Sequence, residues 1–212
     1  MQNKNKIHRV LIILTALLMA SGIAQSSEKQ ADAQSTMSEP VVVDAISPVQ
    51  LATEKIQPGL KVTYFLEYFK RDVTYLQEMI SGEFKSQQGK PIDRLDHQFG
   101  RGEVFDSGTN RGVAVRMRGY LNFAEPGTYS MQALSNDGIV LHIDDKLALN
   151  DPRQHSDRMS NIAHITIDRA GWFPLSIDYF QRKGTAALRL FWKTPGQADF
   201  TIVPGSAYGH LE

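Results

Sequence analysis

Asn136-Asp137-Gly138 places an amide, a carboxylate and a glycine in a row. Carboxylate and amide oxygens are hard donors, suited to a cation or to the hydroxyls of a polar ligand. A turn between two strands explains the same triplet with no ligand, since Asn and Asp cap their own turns and Gly takes positive φ. Asp144-Asp145 is a second acidic pair, again at a tight turn between apolar runs. A third cluster, Arg153, His155, Asp157 and Arg158, lies in the polar stretch 150–161, which has no strand pattern. Loops carry binding residues disproportionately, and these side chains recognise hydroxyls or carboxylates; a solvated loop would also contain them.

Catalytic patterns find little support. His97, His142, His155, His164 and His210 do not form the two-histidine helical metal motif. No Gly-x-Ser-x-Gly elbow and no phosphate loop is present. With no cysteine in the chain, cysteine nucleophiles, zinc-cysteine clusters and disulfides are excluded. Twenty-three basic residues balance twenty-three acidic ones, with none of the basic clustering that nucleic-acid binding requires. A non-catalytic binder of something other than nucleic acid is therefore expected.

The elements that would position these residues are short strands. Val113, Val115 and Met117 alternate with Ala114, Arg116 and Arg118; Tyr129, Met131 and Ala133 follow on one face, then Ile139, Leu141 and Ile143. Leu175, Ile177 and Tyr179 alternate, and Lys183-Gly184 turns the chain into Leu188, Leu190 and Trp192. Pro126-Gly127 matches the centre of a type II turn, with Gly supplying positive φ. Strands at this spacing, without helical crossovers, predict an all-β antiparallel sandwich or barrel. Trp192 is assigned to the core and Trp172, after Ala170-Gly171, to a core or corner plug rather than a sugar platform. Leu60, Val62, Tyr64 and Leu66 form an earlier strand. The segment after Tyr68 fits either period, and 81–111 is expected to be irregular.

The amino-terminal part has a different character. Lys4, Lys6 and Arg9 precede the apolar run Val10–Ala20, and small residues at Gly22 and Ala24 suit signal cleavage near Ala24. The run falls short of the roughly 20 residues that span a bilayer, so no stable membrane span is expected once the signal is removed, with an uncleaved membrane anchor as the alternative reading. Removing residues 1–24 leaves 20 basic against 23 acidic residues, a charge of about −3. Residues 25–55 open polar and Gln/Ser-rich and are expected to be a flexible spacer, with Val41-Val42-Val43 as an alternative edge strand. The folded domain is expected over 56–205, with 206–212 as a tail.

A series of motifs in fixed order resembles the protective-antigen fourteen (PA-fourteen) domain family, a β-sandwich of bacterial toxins, glycosidases and fungal flocculins. It runs from Gly59-Leu60 and Tyr64-Phe65 through Arg118-Gly119-Tyr120-Leu121, Glu125-Pro126-Gly127-Thr128-Tyr129 and Ser135-Asn136-Asp137-Gly138. Ile143-Asp144-Asp145-Lys146-Leu147, Ala170-Gly171-Trp172-Phe173-Pro174-Leu175, Asp178-Tyr179-Phe180 and Leu188-Arg189-Leu190-Phe191-Trp192 complete it. Sugar-binding members hold calcium on two neighbouring aspartates joined by a cis peptide, and the ion holds sugar hydroxyls. The resemblance sets that pair on Asn136-Asp137, with one charge fewer. A flocculin asparagine ligand and its aromatic neighbour correspond to Gln181 and Thr185. The implied metal set is Asp137, Asn136 and Gln181, with calcium as the cation. The candidate ligand set adds Thr185 from the resemblance and Arg153, His155 and Asp157 from the polar stretch 150–161.

The resulting expectation is a periplasmic or secreted module that binds a glycan or cell-surface polymer. The competing expectation is a module that binds a protein partner of the cell envelope.

Overall fold

The computed structural model describes residues 40–51, 55–78 and 83–212. The expected signal segment, and the expected spacer as far as residue 39, lie outside the described residues.

Among the described residues there are fifteen strands: β1 (Val41–Ile46), β2 (Ile56–Pro58), β3 (Lys61–Leu66), β4 (Ser86–Gln88), β5 (Asp96–Gly100), β6 (Val113–Phe123), β7 (Gly127–Asn136), β8 (Ile139–Ile143), β9 (Lys146–Asp151), β10 (Arg158–Met159), β11 (Ala163–Ile167), β12 (Gly171–Gln181), β13 (Ala186–Lys193), β14 (Thr201–Ile202) and β15 (Tyr208–Leu211). One sheet has the order β1-β11-β7-β13-β14, with β10 also on β7 and β5 also on β13. The other has the order β2-β15-β6-β12-β8-β9, with β3 on β6 and β4 on β3. This is the expected all-β antiparallel sandwich, with one parallel pairing, β1 on β11.

Alternation dictates the layering. On β7 the buried side chains are Tyr129, Met131, Ala133 and Ser135; on β12 they include Phe173, Leu175, Ile177, Tyr179 and Gln181. These rows face each other across the interior, the strand analogue of an amphipathic face. Phe123, Tyr129, Phe173 and Trp192 pack edge to face or tilted at one end, so Trp192 is a core residue as expected. Trp172 is half-buried against Gly209, in the corner position expected of it.

Several boundaries differ from the sequence reading. Val41–Ile46 is not spacer: Val43 and Ile46 are buried and the segment pairs with β11. Residues 208–211 are not a tail, because β15 lies between β2 and β6 with Tyr208 buried. The ambiguous segment after Tyr68 forms one 3-10 turn, Val73–Leu76, capped by the Asp72 carboxylate, which accepts from Thr74 N at 2.9 Å. Val73 and Leu76 pack with Phe65, Tyr68, Ala114, Val140 and Phe180 into a second apolar cluster. These sheet residues alternate with the core-facing ones, so the cluster covers the outer face of the eight-stranded sheet. Within the described part of the expected irregular stretch, 83–111, β4 and β5 are short strands.

Strand register brings four connections to one end. Asn136 pairs with Ala187, Gly100 with Ala186, and Gln181 with Val113. Loops 101–112, 136–138, 152–157 and 182–185 therefore share a rim.

Candidate functional site

At this rim, a depression of about 360 Å³ is lined by Asn136, Asp137, Gln154, His155, Ser156, Lys183, Gly184 and Thr185. Asp137 is only 2 % exposed. Its Oδ2 accepts from Arg182 N at 2.7 Å, and among the described residues it has no ion-pair partner. Burial holds its carboxyl above the ordinary value, against the pull of the Arg182 and His155 backbone N–H groups. A buried, displaced carboxylate at the edge of a concavity is a functional pointer.

The Asn136–Asp137 peptide bond is cis. Backbone bonds on both sides hold this turn: Asp137 N donates to Phe180 O at 3.0 Å, and Phe180 N to Gly138 O at 3.2 Å. Tyr179 Oη donates to Asn136 O at 2.6 Å from inside the sandwich. Gly138 is required for a reason other than positive φ, which it does not adopt. A Cβ there would lie 2.4 Å from Pro152 O, so the glycine admits the 152–157 loop against the turn.

That loop is closed on itself. Asp151, at its start, receives Arg158 Nε at 2.9 Å and a second bond from Arg158 Nη2. His155 Nε2 lies 3.1 Å from the same carboxylate, and His155 Nδ1 lies 2.7 Å from Ser156 O. Burial raises the Asp151 carboxyl, but the bonds from His155 and Arg158 outweigh it and bring it down to about 2.

Asn136 links the loops. Its Nδ2 donates to Asp157 Oδ1 at 2.7 Å and to Thr185 Oγ1 at 3.1 Å. The amide must point this way, since reversal would set an oxygen against the Asp157 carboxylate. Gln98 Nε2 takes the other oxygen, Asp157 Oδ2, at 2.8 Å. These two bonds lower the Asp157 carboxyl. Gln181 is fully buried beneath; its Nε2 donates to Thr185 O at 3.1 Å and its Oε1 has no partner among the described residues.

Of the residues expected from sequence, Asn136, Asp137, His155 and Thr185 line the depression, and Asp157 and Gln181 brace it. Arg153 does not join them. It pairs with Asp72 and lines a separate concavity with Arg71, Thr74, Tyr75 and Glu78. Gln98, Lys183 and the Arg182 N–H were missed. Gln98 has no local signal, being 59 residues from its partner Asp157. Asp144 and Asp145 serve a turn, with φ of 50° and 59°, consistent with the hairpin reading. A larger concavity, about 630 Å³ on the outer face of the eight-stranded sheet, is away from this rim. Its Arg118 and His210 are already bonded to backbone oxygens.

Calcium takes six to eight oxygen ligands, usually several of them charged. The side chains as placed do not form such a cage. Asn136 and Gln98 direct N–H groups at both oxygens of Asp157, and Gln181 directs one at the Thr185 carbonyl. No three acidic or histidine side chains converge among the described residues. Donor hydrogens fill the places where a cation would bind those oxygens.

The model of the PA14 domain matches residues 57–206. The chain belongs to the PA14 domain family. Solved structures similar to it include an anti-sigma factor domain-containing protein from Clostridium clariflavum, at 19 % identity and TM-score 0.57, covering 74 % of this chain and 48 % of that one. The PA14 domain of the MpAFP antifreeze protein has 13 % identity and TM-score 0.57, covering 76 % and 95 %. The Epithelial Adhesin 6 A domain from Candida glabrata, solved in complex with Galβ1-3GlcNAc, has 11 % identity and TM-score 0.58, covering 77 % and 90 %. The chain spans about half the length of the anti-sigma factor domain-containing proteins it resembles. No curated protein matches the sequence. At these identities the structural likeness establishes the fold.

Proposed function

We propose that this PA14 domain is an exported, non-catalytic module that binds a saccharide of the cell envelope or cell surface at the rim around Asp137. The carrying observation is the Asp137 carboxylate, buried without an ion-pair partner among the described residues, beside a depression at the loop end of the sandwich. An ionised carboxylate in that setting gains from accepting hydroxyl hydrogens, which oppose the desolvation that raises its pKa. Sugar binding by the Epithelial Adhesin 6 A domain supports the ligand class, and the basic-then-apolar leader at residues 4–20 supports export. Recognition in this reading is direct, by side chains, with the Asn136 amide doing the bracing that a cation would do.

Isothermal titration against a panel of neutral oligosaccharides tests this, with wild type and Asp137→Asn compared in calcium and in chelator. The expected result is a saccharide whose affinity falls about tenfold or more in Asp137→Asn and is indifferent to chelation. Binding that is unchanged by the substitution would remove Asp137 from the site.

A further inference from the structure

A second concavity, about 260 Å³, adjoins the Asp137 depression and shares Lys183 and Gly184 with it. Its lining is Arg101, Asn110, Arg111, Lys183 and Gly184, with three cations and no carboxylate. Among the described residues none of the three cations forms an ion pair. The acids of the same loop are turned elsewhere. Glu103 Oε1 accepts Gly108 N at 2.6 Å, and Asp106 accepts Lys90 N at 3.0 Å and the Tyr64 hydroxyl at 2.5 Å.

The cations are mounted on tied backbone. Asn110 Nδ2 donates to Arg101 O at 3.1 Å, Thr109 Oγ1 to Arg111 O at 2.9 Å, and Gly112 N to Arg182 O at 2.9 Å. A Cβ at Gly184 would meet nothing within 4 Å, so the ridge between the two concavities is open. Like charges gathered in one concavity without counter-ions repel one another, and a bound anion relieves that repulsion. Guanidinium groups also match planar carboxylates through paired N–H donors.

We propose that this concavity is an anion subsite, and that the saccharide recognised at Asp137 carries an acidic unit, a uronate carboxylate, into it. The inference rests on the saccharide-binding reading above. No aromatic side chain lines the concavity, so the base-stacking platform typical of single-stranded nucleic acid is missing there.

The test compares a galacturonate hexasaccharide with its fully methyl-esterified form by calorimetry at two salt concentrations. Wild type is measured beside Arg101→Ser/Arg111→Ser and beside Asp137→Asn, with folding checked by circular dichroism. The acidic form should bind about tenfold more tightly than the ester, with the preference shrinking as salt rises. In Arg101→Ser/Arg111→Ser the two forms should bind equally, at the ester's affinity. Equal affinities in wild type, with both lost in Asp137→Asn, overturn the anion subsite and leave the saccharide reading standing. Binding of neither form overturns the subsite for this ligand class. Tighter binding of a single-stranded oligonucleotide than of the acidic saccharide also overturns it.

Discussion

Two adjacent residues carry opposite assignments at the rim. Asp137 is costly to the fold: its carboxyl is raised by burial, so the ionised form is the disfavoured one. A raised folded-state pKa means the cost is present at neutral pH and fades as pH falls through that value. Asp137→Asn keeps the shape and removes the charge, so its Tm at pH 7 should equal or exceed that of wild type while saccharide affinity falls. A Tm loss at pH 7 would instead make Asp137 a structural residue. Asn136 is the stabilising member, because its amide satisfies Asp157 and Thr185 at once. Asn136→Asp sets a carboxylate against Asp157 and should cost about 2 kcal/mol in chelator, with millimolar calcium restoring part of the lost Tm. Wild type should show no calcium-dependent shift in differential scanning fluorimetry. A wild-type shift that vanishes in Asp137→Asn would mean that the amide bonds rearrange around a cation.

The loops succeed as elements only because small or clamped residues let them approach. Gly138→Ala drives a methyl into Pro152 O, which is backbone and cannot swing aside. It should cost about 1–3 kcal/mol and abolish saccharide binding, since the 152–157 loop must leave the depression. Asp151 holds the same loop by charge. Its folded-state carboxyl lies at about 2, below its unfolded value, so its contribution is complete at neutral pH. The contribution, on the order of 2 kcal/mol at most, is lost between about pH 4 and pH 2. Limited proteolysis within 152–158 should therefore accelerate over that window, and Asp151→Asn should show the acid rate already at pH 7. The long strands were legible in sequence because period-two alternation in β6, β7, β8, β12 and β13 coincides with burial. β1 was legible only as the alternative edge strand at Val41-Val42-Val43, since that run has no alternation to read and pairs in parallel with a strand 122 residues away (Val41 with Ala163). Phe180, Ala114 and Val140 were opaque. They occupy outward positions and become core only because the 3-10 turn at 73–76 covers them. At the rim, residues flagged by type were mostly gathered together, while Gln98 depended on a pairing between β5 and β13 that no local pattern encodes.

At the scale of the molecule, the sandwich is closed by its last strand. β15 is the partner of β2 and also pairs with β6. The approach is close: a Cβ on Gly119 would lie 2.3 Å from Gly209 O, and the Trp172 ring lies over Gly209. Tyr208 is 2 % exposed in the main core, yet its hydroxyl has no partner among the described residues. Two changes at this one residue therefore separate packing from hydrogen bonding. Tyr208→Ala leaves a large cavity and should cost about 3–5 kcal/mol. Tyr208→Phe removes only an unsatisfied hydroxyl and should be neutral or stabilising. Ending the chain at Ala207 should be worse than either, because β2 loses its partner strand and the Trp172 ring loses its cover. Chemical denaturation of the three variants beside wild type gives the order. If the truncated chain unfolds at the wild-type midpoint, β15 is dispensable and the domain ends where the sequence pattern alone would have ended it.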